Sequence, residues 1–165
     1  MLKKVLTGTG LLSLAFPTLA FASEADITAL GAGQDTIWVM LAFILVLLMQ
    51  GGFILLETGS TRMKNAGHVA GKTIFTVSLG ALMFWAFGYG LIYGPNSTPF
   101  IASGNFFFSP ELGSTEGYPS SIDFLFQAAF ALISLTIAFG GFAERAKLSA
   151  YVLFSILFMI FVYPV

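Results

Sequence analysis

Two phenylalanines one helical turn apart, Phe126 and Phe130, sit in an apolar run of membrane-spanning length that begins at Asp123 and closes on a charged pair, Glu144 and Arg145. Aromatic rings stacked on one face of a helix near one of its ends could line a path. Such rings hold and pass a solute without breaking bonds. There is no cysteine, which excludes disulfides, thiolate catalysis and zinc–thiolate sites. Glu57 and Glu144 fall at the ends of apolar runs beside basic residues, so they read as interfacial ion pairs and not as a catalytic carboxylate pair. No enzymatic function, cofactor or metal is expected.

The elements that must position these residues follow from composition. Hydrophobic residues make up 57% of the sequence and charged residues 9%, and the mean hydropathy is +0.90. A soluble domain carries roughly 25% charge, so the chain reads as an integral membrane protein in contact with the lipid bilayer. The expected fold class is all-α, a polytopic bundle of transmembrane helices. With 19 Phe and 18 Gly, the spans should be aromatic-rich yet able to approach closely at glycine. One histidine and little charge of either sign argue against a nucleic-acid partner.

Residues 1–22 read as a cleavable signal peptide, with a basic start at Lys3 and Lys4, an apolar stretch, and the small-x-small site Ala20-Phe21-Ala22. Residues 23–165 then form the membrane domain, with a polar, acidic opening and spans at about 37–57, 70–93, 122–143 and 148–165, each near the length that ~30 Å of hydrocarbon requires. Gln50 interrupts the first span and should bond to a neighbouring helix. Gly80, Gly88 and Gly90 are close-packing points in the second, and Trp85, Tyr89 and Tyr93 fit an interfacial belt. Once the signal is removed, every Lys and Arg lies in or at the edge of two loops, around Arg62–Lys72 and Glu144–Lys147. The positive-inside rule puts those loops in the cytoplasm and the mature N-terminus outside, in a multi-pass protein of the cell membrane. The single histidine, His68, should be interfacial.

Three stretches in this order resemble the Amt/MEP/Rh ammonium transporters. They are LLETGSTRMKNA at the inner end of the first span, FQAAFALISLTIAFGGFAERAKLSA through the third, and a Tyr-x-Pro-like ending at Tyr163 and Pro164. They are similar to the family pattern Gly-x-x-Arg-x-Lys-Asn, then Phe-Gln-x-x-Phe-Ala, then Ala-Glu-Arg. The resemblance implies conduction of ammonium, or of ammonia plus a proton, through a pore in each subunit of a homotrimer, with a possible cytoplasmic PII-type regulator. It makes Phe126 part of an outer aromatic site, Phe130 part of a gate beneath it and Gln127 a pore support; Arg62, Lys64, Asn65, Glu144 and Arg145 form the inner-loop motif. A ring face offers a dehydrating ammonium ion ~0.5 to 2 kcal/mol. The four spans correspond to an incomplete first half of the family's inverted-repeat fold. The family's pore histidines and aspartate fall on later spans, so the chain alone is expected to be truncated and inactive. The same resemblance also admits an ammonium-sensing domain of a signalling protein. A four-span structural or assembly protein would use the same small residues and aromatic girdles, but would have no reason to place Phe126-Gln127 and Arg62-x-Lys64-Asn65 at that spacing.

Overall fold

The computed structural model describes residues 24–110 and 117–165; the expected signal peptide and the loop acids Glu111 and Glu116 lie outside them. The chain divides into two compact units, 1–31 and 32–165. Of the first, the described part is the opening of helix α1 (Glu24–Ser60), a helix of 37 residues. It starts well before the span expected at 37. The stretch between carries Ala29, Leu30 and Ala32, which favour helix. Two glycines there are too weak a signal to stop it.

In the second unit a short 3-10 turn (Met63–Asn65) leads into α2 (Ala66–Met83). A wide turn of π-helix, Phe84–Gly88, joins α2 to α3 (Tyr89–Tyr93). The loop beyond holds a small antiparallel hairpin, β1 (Asn96–Ser97) with β2 (Ala102–Ser103). Helix α4 (Ser120–Gly140) follows, and then α5 (Leu148–Leu157), which continues through a second π turn, Phe158–Val162. Among the described residues three helical stretches are long and apolar enough to cross a membrane: Ile27–Ser60, Met63–Tyr93 and Ser120–Gly140. Leu148–Val162 is apolar but shorter. It ends ahead of Pro164, which has no N–H to extend the ladder.

Helices α2, α4 and α5 form the core of this unit. The inward face of α2 reads Val69, Lys72, Thr73, Thr76 and Gly80, at helical spacing. Gly80 is where α2 meets α4, since a Cβ there would stand 2.7 Å from Leu135 Cδ2. A Cβ at Gly90 would instead run into the backbone of Gly104 and Asn105, which fixes the approach of the hairpin loop to α3. Around these contacts lies an aromatic cluster. The Phe108 and Phe124 rings stack with centroids 4.5 Å apart, and Phe84 also stacks on Phe124 at 5.9 Å. In lipid such packing is supplied by dispersion and close fit, because the solvent is as apolar as the side chains.

The π turn at Phe84–Gly88 explains why the loop is drawn onto the helix. The Tyr89 N–H reaches back five residues to Phe84 O, so Trp85 O loses its usual helical donor. Phe108 N–H donates to that freed carbonyl at 3.2 Å, and Phe107 N–H donates to Ala86 O at 2.9 Å. Trp85 Nε1 donates in turn to Phe108 O at 3.0 Å. Helix α1 is different. Most of its apolar side chains from Ile37 to Leu56 are exposed, and its side-chain bonds to the other helices come from Gln50 and Glu57.

Candidate functional site

Phe126 and Phe130 face each other across one turn of α4, with ring centroids 4.9 Å apart in an edge-to-face arrangement of 74°. Phe126 is half-buried and Phe130 is 40% exposed. Seven residues on from Phe130, Ile137 is also exposed, whereas Ile133, seven on from Phe126, is buried, so the open strip of α4 runs along Phe130 and Phe126 stands at its border. The opposite side carries the buried Ala131, Leu135 and Phe139. Geometry thus gives two adjacent rings, the second of them exposed.

One turn before Phe126, Asp123 is buried, and Tyr89 Oη donates to its Oδ2 at 2.9 Å. Gln127 Nε2 reaches its Oδ1 at 3.5 Å. Tyr89 belongs to the core and not to an interfacial belt: only Trp85 and Tyr93 of the three expected belt residues are substantially exposed. Tyr89 is drawn inward by this carboxylate and by its edge-to-face contacts with Phe84, Phe108 and Phe124.

A second polar cluster joins three helices near the other end of the bundle, the end that carries Arg62, Lys64, Arg145 and Lys147. Lys72 Nζ donates to Glu57 Oε1 at 2.9 Å and to Tyr151 Oη at 2.7 Å, and stands 3.9 Å from the Tyr151 ring centroid. Thr73 Oγ1 lies 2.8 Å from Glu57 Oε2, and Tyr151 Oη donates to Phe142 O at 2.7 Å. The two charged side chains are 2% and 8% exposed. Sequence reasoning had placed Lys72 in a basic loop and Glu57 in an interfacial ion pair; both are instead inside the helix contact. The available signal was the stripe of small and hydroxyl residues Thr73, Thr76 and Gly80, whose face Lys72 shares. Gln50 bonds to a neighbouring helix as expected, donating through Nε2 to Thr136 Oγ1 at 2.6 Å.

Of the five residues of the basic-end motif, the structure brings three together. Glu144 Oε1 accepts from Arg62 N–H at 2.9 Å and from Asn65 Nδ2 at 3.1 Å, while Arg62 Nε lies 3.2 Å from Oε2. The backbone N–H of Arg62 first, then the Asn65 amide and the guanidinium, hold the Glu144 carboxyl below its usual range. Lys64 and Arg145 stay exposed and form no ion pair among the described residues. Beside this clasp, between α1 and α4, lies a cavity of about 510 Å³ walled by Phe53, Glu57, Thr136, Gly140 and Glu144.

Comparison with known proteins agrees with this arrangement. Residues 37–165 match the model of the Ammonium Transporter Family. Ammonium transporter Amt2 of Haloferax mediterranei is 33% identical over 151 residues, covering 87% of this chain and 32% of that protein. Ammonium transporter 3 of Dictyostelium discoideum is 35% identical over 132 residues, covering 79% and 29% respectively. Among solved structures, a sensor Amt protein superposes with a TM-score of 0.75 at 29% identity over 81% of this chain and 33% of that one. The G343C mutant of Candida albicans Mep2 gives 0.65 at 26%, over 76% and 28%. The chain spans between about a fifth and a third of the length of the curated relatives it matches. With the family model covering most of the sequence and the membrane-length helices in place, the chain belongs to the Ammonium Transporter Family and is a multi-pass membrane protein.

Proposed function

We propose that this chain supplies the entrance of an ammonium-conducting path, with Phe126 at an outer aromatic site, Phe130 at the gate beneath it and Gln127 as support. The observation that carries the reading is the edge-to-face pair of rings one turn apart on α4, the second of them exposed. Ring faces attract an ammonium ion that is losing water, and two rings in contact close a passage that neither would close alone. The basic loops lie on the cytoplasmic side of the cell membrane, the N-terminus left by signal cleavage after residue 22 lies outside, and the assembly is a homotrimer open to a PII-type regulator.

The test is made in proteoliposomes holding the product of the reading frame that carries this sequence. Phe126→Ala should weaken apparent ammonium affinity by at most ~1 to 2 kcal/mol, the value of one cation–π contact. Phe130→Ala should instead admit competing potassium, because a wider and wetter constriction lowers the barrier for every cation. Identical behaviour of the two variants would refute the assignment. A second reading, an ammonium-sensing domain, is favoured by the likeness to the sensor Amt structure; binding without uptake, with both rings still required for binding, would select it.

A further inference from the structure

We propose that the Glu57 carboxylate, on the wall of the cavity between α1 and α4, is a binding site for ammonium-class cations that the protein keeps filled with its own Lys72. The inference goes beyond the proposed path and rests on it only for the presence of ammonium in that cavity. The walls show how an ion gains access. Ser60, Gly140, Glu144 and Arg145 are exposed and line the cavity at the basic end of the bundle. The exposed Ile137 lines it as well, seven residues along α4 from Phe130. Glu57 stands among these wall residues and Lys72 does not, so the lysine reaches the carboxylate from α2 while the cavity reaches it from the side of α4.

The way the Lys72 ammonium is held shows what the site selects. Nζ donates to Glu57 Oε1 at 2.9 Å and to Tyr151 Oη at 2.7 Å, and lies 3.9 Å from the Tyr151 ring centroid. Tyr151 Oη gives its own proton to Phe142 O, so toward Lys72 it is an acceptor only. A carboxylate, an acceptor hydroxyl and a ring face together recognise an ammonium group, through charge-assisted N–H bonds and cation–π attraction. An ion without N–H groups meets the same charge and ring but makes no directed bond. The two charged side chains are almost dry, so a Glu57 that lost its lysine would need another counter-ion. In the parent protein the tether gives Lys72 an effective concentration that free ammonium does not match. An ion crossing the cavity is thereby kept from lodging at Glu57.

The test uses the product of the reading frame that carries this sequence, purified in detergent, with thermal midpoints read in ammonium, methylammonium and tetramethylammonium chloride at equal ionic strength. Lys72→Ala vacates the ammonium head and the chain behind it. Its midpoint should stand about 2 °C or more higher in ammonium than in tetramethylammonium, beyond any difference that the parent shows. Methylammonium, which also refills apolar volume, should raise it further. Adding Glu57→Gln to Lys72→Ala should remove the excess. Lys72→Gln offers the carboxylate a neutral donor in place of the charge and should show a smaller excess; it decides the matter if the Ala variant is not recovered. No excess in the recovered variant, or an excess that survives Glu57→Gln, would mean that the pair only joins helices, and the inference is overturned. If the parent takes up no ammonium in proteoliposomes while the excess appears and depends on Glu57, the proposed path fails and the inference stands.

Discussion

Replacing Lys72 by methionine should destabilise the protein far more than its few contacts suggest. The substitution keeps the length and packing of the side chain but leaves the Glu57 carboxylate with Thr73 Oγ1 as its remaining described donor. At 8% exposure that carboxylate cannot recover its hydration, and stripping one partner from a buried pair costs about 3–5 kcal/mol. Tyr151 loses less, since its own proton still goes to Phe142 O. Glu57→Met should be comparably harmful, as it strands the ammonium between a hydroxyl and a ring face. The double variant removes both charges and should return to within about 1 kcal/mol of the parent or exceed it, because well-packed apolar residues often replace buried pairs without loss. Unfolding by sodium dodecyl sulfate, followed by helical circular dichroism in detergent micelles, measures all four corners of the cycle. Additive single losses, or a loss below about 1 kcal/mol for Lys72→Met, would refute the view that the pair joins α1 to α2 and α5.

Three further outcomes follow from other parts of the fold. The sequence has no cysteine of its own, so single cysteines report on sidedness: Ser97→Cys should react with an impermeant maleimide from outside intact cells and Ser60→Cys should not, and the reverse would invert the orientation. Glu144 has a depressed folded-state pKa, so its contribution to the Arg62–Asn65 clasp is complete above the unfolded value near 4.5 and is lost as pH falls through the lower folded value. Protection of the Arg62 amide, its exchange rate relative to the intrinsic rate at each pH, should accordingly fall as pH drops through that lower value, and Glu144→Gln should make the protection independent of pH in the same window. Gly80→Ala meets the flexible end of Leu135 and should cost less than about 1 kcal/mol, whereas Gly90→Ala meets backbone and should cost about 1–3 kcal/mol by displacing the hairpin loop, with thermal midpoints deciding between them.

The parts of this fold that were legible in the sequence are those written in local pattern. Apolar runs of sufficient length announced the helices, and Gly80 and Gly90 announced close approach without revealing what approaches. The Phe126–Phe130 pair was legible as a contact because residues four apart share a helix face, although the rings meet edge to face and not stacked. What escaped is non-local. Lys72 looks like a loop cation beside Arg62 and Lys64 until a helix starting at Ala66 turns it toward Glu57 and Tyr151, and no short-range rule pairs residues 79 apart. Asp123 could be seen to open a span, but Tyr89, its partner, read equally well as an interfacial aromatic. The start of α1 was missed because acids and isolated glycines suggest a loop while the intervening alanines sustain a helix.

The wide turn at Phe84–Gly88 carries a consequence for how this chain can change. One added residue rotates everything after it by about 100° relative to a regular helix, so the turn sets the phase of α3 against α2. Tyr89 points at Asp123 in the rotated phase, while Gly80 and Thr76 point at their own neighbours in the phase before it. Point substitutions in this segment would leave that offset alone. A single-residue deletion between Phe84 and Gly88 would restore a regular helix, carry Tyr89 off Asp123 and withdraw the carbonyls that receive Phe107 and Phe108. In this stretch the length of the chain is therefore under tighter constraint than the identity of most of its residues.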